Sequence, residues 1–347
     1  MTHFKNVNRI LIIAPSWLGD AVMSHSLIRH LSREYQAASI DVFASKALQP
    51  IYKQMPETNE IINNPFGHGQ LRLRDRWRTA QTIKSNQYDV VYILPNSIKS
   101  ALVPFLSGIP HRVGYTGESR FGLLNHRRTL NKIQHPLLVD QYLQLAGETQ
   151  SDGLALRENP RLSVNKEDFE RTLRKFNINA EIPYVCLCPG AEYGPAKRWP
   201  KEHFAALAHK LRTHHLSSII LGSNPDVDIG AAIHQLSHES TNNLTGATTL
   251  EEALHLVSGA KCVITNDSGL MHIAAALNTP LIALFGSSSP TYTPPLSDNS
   301  KILTLSLGCS PCFQRTCPLG HTKCLTEITT DSVLTEVLAV VDKKITQ

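Results

Sequence analysis

The chain repeats one pairing: a short run of apolar, largely β-branched residues ends in a turn and is followed by a stretch with apolar positions three and four apart. In the first half the runs are RILIIAP, SIDVFAS and DVVYILP, and the first leads into Asp20 to Glu34, where Met23, Leu27 and Leu31 share one helical face. The second half repeats the pattern with YVCLCPG, SSIILGS, KCVITND and PLIALFG. Strands alternating with helices form parallel sheets wound with helices, so two similar α/β units are predicted. Between them SDGLALRENPRLSV (151–164) is polar, holds Gly and Pro and keeps no sustained period, which places the linker there and the domains at 1–164 and 165–330. The last segment, 331–347, sets Val333, Leu334, Val337, Leu338 and Val341 at helical spacing with lysines near its end, the pattern of a docking helix.

Composition narrows the class. A length of 347 residues exceeds that of one typical domain, and moderate charge with few aromatics excludes disordered and fibrous chains. The longest apolar runs, ILIIAP and PLIALF, fall far short of the roughly 18 residues that span a bilayer, and MTHFKNVNR lacks a signal peptide's hydrophobic region. A cytosolic chain is expected, in which the seven cysteines are reduced, metal-bound or buried rather than paired. The formal charge of +5 is mild, but basic residues crowd into RLRDRWR (72–78) and ESRFGLLNHRR (118–128). They form either a solvated face or a site for an anionic partner.

In parallel sheets ligands collect beyond the carboxyl ends of the strands, which directs attention to the turns. PSWLGDAVMS holds a single glycine, Gly19, so it lacks the three-glycine phosphate fingerprint, yet it sets Asp20 at the mouth of a helix. Asp20 is either a first-turn acid favoured by the helix dipole or a general base that accepts the proton of an attacking hydroxyl. PGAEYGPAKRWP (189–200) offers Gly190, Gly194, Lys197 and Arg198, small residues for close approach of backbone amides to phosphate and a lysine to add charge. A solvated lysine on an ordinary loop is the plain alternative. TNDSGLMHIAAAL (265–277) passes from a strand through Asp267, Ser268 and Gly269 into a helix, where capping competes with anion or ribose binding, and capping alone leaves His272 unexplained. The Asp-x-Asp of NPDVD (224–228) is read as a cap, with Asp226 on a ribose as the alternative.

Five segments, PSWLGDAVMS, YILPNSIKSALVPFLSGIPHRVGY, CPGAEYGPAKRWP, VITNDSGLMHIAAAL and LFGSSSPTYTPPLS, resemble in order and spacing the ADP-heptose:lipopolysaccharide heptosyltransferases, and most of all the branch that adds the second inner-core heptose. The resemblance implies a B-type glycosyltransferase fold of two Rossmann-like domains facing a cleft, with the acceptor on the first, ADP-heptose on the second and the last helix returning to the first. It implies an inverting transfer onto heptosylated Kdo-lipid A, with Asp20 and Lys197 catalytic. Gly190, Asp226, Asp267, Ser268, Gly269 and His272 would face the donor. Ser16, Asn96, Ser97 and Lys99 would face the acceptor, with Arg76, Arg78 and Arg120 toward its acidic groups. No required cofactor, no nucleic acid, a monomer and a cytoplasmic location touching the inner membrane through the lipid are also implied.

CSPCFQRTCPLGHTKC gathers Cys309, Cys312, Cys317 and Cys324 around His321. One C-x-x-C has zinc-site spacing and the second pair does not repeat it, so a structural zinc and reduced or paired thiols both stand as readings. Cys186, Cys188 and Cys262 lie in apolar runs and are expected in the core. Three alternatives compete: the transferase that adds the first heptose, a nucleotide-sugar epimerase of similar architecture, and a non-catalytic metal- or redox-responsive protein built on the cysteines. The last leaves Asp20 and Lys197 without a purpose.

Overall fold

The computed structural model describes residues 4–67, 69–147 and 157–343. Of the linker expected at 151–164, residues 151–156 lie outside the described residues. The chain divides into two compact units, Met1–Pro160 and Arg161–Gln347.

The first unit runs β1 (Arg9–Ile13), α1 (Leu18–Met23), α2 (His25–Glu34), β2 (Ser39–Ala44), α3 (Gln49–Lys53), β3 (Ile61–Asn63), α4 (Leu73–Lys84), β4 (Val90–Ile93), α5 (Ile98–Leu106), β5 (His111–Tyr115), β6 (His126–Arg128) and α6 (Leu138–Leu143). Its strands pair in parallel in the order β3-β2-β1-β4-β5-β6. Leu11, Ile13, Val91 and Ile93 pack with Ala80 and Ile83 of α4 and Ala101 and Val103 of α5. The helix expected over Asp20 to Glu34 is broken at Ser24, whose Oγ donates to Ala21 O at 2.6 Å. Such back-bonding competes with the helical ladder and bends it. The one acid inside SIDVFAS, Asp41, is fully buried. It accepts hydrogen bonds from Arg9 Nη2 (2.9 Å), Tyr88 Oη (2.6 Å), Asn59 Nδ2 (2.7 Å) and the Glu60 amide (3.0 Å). With its acceptor capacity filled, a buried carboxylate of this kind is structural.

The second unit runs α7 (Lys166–Lys175), β7 (Tyr184–Cys188), α8 (Lys201–Thr213), β8 (Ser217–Ile220), α9 (Val227–Leu236), β9 (Thr241–Asn243), α10 (Leu250–Gly259), β10 (Cys262–Asn266), α11 (Gly269–Ala276), β11 (Leu281–Phe285), β12 (Ser300–Thr304), α12 (Lys323–Thr326) and α13 (Thr330–Lys343). Its sheet, again parallel, has the order β12-β11-β10-β7-β8-β9. Set β7 against β1 and β10 against β4, and the two orders are the same: that of a Rossmann-like sheet, reversing between its first and fourth strands. The crevice beyond the carboxyl ends of the strands at that reversal is where such sheets take ligands. Here it falls between β1 and β4 in one unit and between β7 and β10 in the other.

Cys186, Cys188 and Cys262 are buried in β7 and β10 as expected of core thiols. The last helix, α13, expected to return to the first domain, contributes to the core of the second: Val333 and Val337 are fully buried with Trp199, Phe204 and Leu325. Asp331 pairs with Lys210 of α8, and Lys301 of β12 with Glu336 at 3.2 Å. The apolar stripe finds its partner in the adjacent α8, which already presents a matching apolar face.

Candidate active site

In the first unit, β1 ends at Ile13 and the chain turns through Pro15 and Ser16 into α1, whose first turn carries Asp20. Trp17 at the helix start is extended and offers no side-chain cap. Asp20 is half-buried, and among the described residues no cation pairs with it. Burial raises its carboxyl to a pKa of about 6. A carboxyl tuned so is ionised at neutral pH and basic enough to take a proton. Ser16, one residue before Trp17, is exposed.

The fourth strand of this unit leads into Asn96 and Ser97. Ser97 caps α5, its Oγ accepting the Ser100 amide at 3.3 Å, and Asn96 is exposed. Glu118 reaches the same helix start and accepts the Ile98 amide at 3.0 Å. Lys99 donates to Gly69 O at 3.0 Å. Arg76 and Arg120, expected toward the acceptor's acidic groups, are both held by backbone carbonyls. Arg76 is buried over the Phe66 ring and donates to Leu71 O (2.7 Å), Lys99 O (2.9 Å) and Gln70 O (3.2 Å). Arg120, also buried, donates to Pro95 O at 2.8 Å and to Tyr115 O, and burial lowers its guanidinium to a pKa of about 10. A guanidinium is compatible with burial when carbonyls surround it, which a reading of charge runs as surface does not anticipate. Arg78 remains at the surface, with Asp75 at 3.7 Å.

In the second unit the turn after β7 carries Gly190, where a Cβ would lie 2.6 Å from Asp226 Oδ2. Only glycine admits that approach. Asp226 itself is the reciprocal partner of a capping box: Ser223 N and Oγ reach its Oδ2 at 3.0 and 2.8 Å, and Arg198 stands 3.7 Å from Oδ1. This is the capping role that the sequence offered first for Asp226, and it engages Oδ2. Further along the turn, Lys197 closes a single 3-10 turn, Pro195–Lys197. Its Nζ lies 5.1 Å from the Tyr193 ring centroid and donates to Asp267 Oδ2.

Asp267 is the residue after β10, so the Lys197–Asp267 pair sits at the sheet's reversal point. Ser268 is the N-cap of α11 but makes no capping bond; its Oγ turns to Thr265 Oγ1 at 3.2 Å. The first-turn amides of α11, beginning at Gly269, are thus without a side-chain cap and sit next to a lysine. That combination suits a diphosphate. His272 is buried, and desolvation brings its pKa to about 4, with Lys197 adding to the effect and Asp267 opposing it. At neutral pH it is an uncharged imidazole.

Two features escaped the sequence. Asn266, fully buried at the end of β10, accepts the Trp199 amide at 2.9 Å and donates to Pro189 O at 2.8 Å, tying both ends of the Lys197 turn to the strand. Asn266→Ala leaves that amide and carbonyl unpaired and is expected to cost ~2–4 kcal/mol of stability, measurable by urea unfolding. The Ser287 and Ser288 hydroxyls, at the exit of β11, are buried and find no partner among the described residues. Only the run SSS hinted at them.

The chain is a glycosyltransferase built of two Rossmann-like units, with an acid beyond the first strand of one and a lysine beside an uncapped helix start at the reversal of the other. The chain belongs to glycosyltransferase family 9 (heptosyltransferase), whose model matches residues 76–323. It is 43% identical to lipopolysaccharide heptosyltransferase 2 of Escherichia coli over 95% of this chain and 98% of that one. It is 45% identical to lipooligosaccharide heptosyltransferase 2 of Haemophilus influenzae over 86% and 89%. The solved structure of E. coli ADP-heptose lps heptosyltransferase II superposes with a TM-score of 0.87, covering 97% of this chain and 99% of that one at 40% identity. The B-type glycosyltransferase fold expected from the motifs is thereby the fold of this chain.

Proposed function

We propose that this protein moves L-glycero-D-manno-heptose from ADP-heptose to the first heptose of the lipopolysaccharide inner core, with inversion, as heptosyltransferase II. The observation that carries the reading is the near-full-length likeness to lipopolysaccharide heptosyltransferase 2. Asp20 accepts the proton of the acceptor hydroxyl as its oxygen bonds to the anomeric carbon and the bond to the diphosphate breaks. ADP departs carrying the electron pair, and Lys197 with the α11 amides offsets its growing charge. Ser268, Gly269 and the neutral His272 line the donor side. Ser16, Asn96, Ser97, Lys99 and Arg78 are the polar groups left for the acceptor.

This chemistry needs no cofactor, since every proton and charge is handled by a side chain or backbone amide. The partners are ADP-heptose and heptosylated Kdo-lipid A, met by a monomer at the cytoplasmic face of the inner membrane. No helix among the described residues is long and apolar enough to cross a membrane, so contact is made through the lipid acceptor. The test offers ADP-heptose with Kdo-lipid A bearing no heptose and, separately, one heptose. ADP release with the one-heptose acceptor alone is expected. Release with the heptose-free acceptor assigns the earlier transfer step, and release with neither removes the transferase reading's donor or acceptor.

A further inference from the structure

The segment from Leu305 to Thr322 contains no helix or strand, and beyond Leu305, which packs against the core, two of its large apolar residues are exposed: Phe313 by 56% and Leu319 by 61%. A loop of this length with so little buried surface needs another source of order. Its three cysteines, together with Cys324 in the α12 that follows, supply a candidate. Cys309, Cys312, Cys317 and Cys324 line a single pocket together with His321, Ala196 and Ser287. The first three thiols all lie within electrostatic reach of Cys324. Around Cys317 the chain folds back, with Gly320 and Thr322 in the left-handed region at φ 72° and 46°. That curl turns the backbone amides of Leu319, Gly320, His321 and Thr322 toward the Cys317 sulfur. The buried Ser287 hydroxyl on the pocket wall has no partner among the described residues.

The same segment is pressed against the turn that carries Lys197. The Ala196 amide donates to Arg315 O at 3.1 Å, and at Gly194, with φ 154°, a Cβ would lie 2.5 Å from that oxygen. Tyr193 Oη donates to Phe313 O at 2.7 Å, the Phe313 amide to Ser287 O at 2.7 Å and Ser310 Oγ to Gly286 O at 2.6 Å. Whatever orders the cysteine loop therefore sets the exits of β7 and β11.

We propose that Cys309, Cys312, Cys317 and Cys324 bind one soft divalent cation, Zn2+ as the probe, as four thiolates, and that this ion braces the Tyr193–Lys197 turn. Each thiol that binds releases its proton to solvent, and no electron changes hands. An all-sulfur tetrahedral set suits zinc, with Zn–S bonds of about 2.3 Å. Among the described residues no three His, Cys, Asp or Glu groups already stand at metal-holding geometry, so the ion draws the thiols inward across the pocket. The effect on catalysis rests on the role proposed above for Lys197, whereas binding does not.

The experiment takes the full chain, reduced and stripped with a chelator, and titrates Zn2+ while following metal content by mass spectrometry, thiol alkylation and thermal unfolding. The expected result is one equivalent bound, those four cysteines protected from alkylation, and a rise in Tm. Cys312→Ser and Cys317→Ser should each weaken binding by about a hundredfold or more. No stoichiometric binding by the reduced wild-type chain, or protection that leaves these four cysteines reactive, overturns the site. Binding and protection without any change in the ADP-heptose KM would retain the metal site and remove the brace.

Discussion

Asp20→Asn is expected to cut kcat for heptose transfer by ~10²–10⁴-fold while leaving the KM for ADP-heptose within about twofold. The substitution keeps the shape of the side chain in the first turn of α1 and removes only its basicity. Binding of the donor is assigned to the turns after β7 and β10, so the loss belongs to the chemical step. Stability should move the other way. Desolvation holds the Asp20 carboxyl at about 6, above the unfolded value, so keeping it ionised in the folded state is unfavourable at neutral pH. An uncharged amide escapes that penalty, and the Tm of Asp20→Asn at pH 7 should equal or exceed that of the wild type. A variant both inactive and less stable would indicate a structural role for this residue.

Lys197→Met should lower kcat/KM by ~10²–10³-fold, the scale on which single groups that stabilise transition-state charge act. Here a stability loss accompanies the catalytic one. The Lys197 and Asp267 side chains are 17% and 7% exposed, and removing the cation leaves the carboxylate buried without its partner. Breaking such a pair from one side costs roughly 3–5 kcal/mol. The double variant Lys197→Met/Asp267→Asn separates the two effects: stability should return to within about 1 kcal/mol of wild type while turnover stays low. Urea unfolding and initial rates of ADP release on wild type, Lys197→Met, Asp267→Asn and the double variant complete the cycle. Recovery of turnover in the double variant would mean that Lys197 serves only to neutralise Asp267.

The continuous apolar runs told true because a strand buried in a parallel sheet has no polar phase to obscure it: β1, β4, β7, β10 and β11 lie within the runs read from the chain. The edge strands β3 and β9 (IIN and TNN) were silent, since three half-exposed residues carry no period. The burial of Arg76 and Arg120 was hidden for a related reason. Their charge marks them as surface residues, while the carbonyls that accept them come from Gln70, Leu71, Pro95, Lys99 and Tyr115, brought together only by the fold. Asp20 and Lys197 were legible as residues of the turns beyond β1 and β7. The pairing of Lys197 with Asp267 across 70 positions, and the Asn266 clasp that holds the turn, depend on β7 lying beside β10. The stripe on α13 was legible as that of a docking helix, and within the second unit it packs against α8.

The most direct measurement is the pH dependence of ADP release from ADP-heptose with the one-heptose acceptor, in wild type and in Asp20→Asn. If Asp20 is the base, wild-type kcat/KM rises tenfold per pH unit below about 6 and levels off above it, because the carboxyl must be ionised to accept a proton. Asp20→Asn should then show a flat, much lower profile over the same range. A wild-type limb that persists unchanged in Asp20→Asn, or a variant that turns over at the wild-type rate, would contradict it.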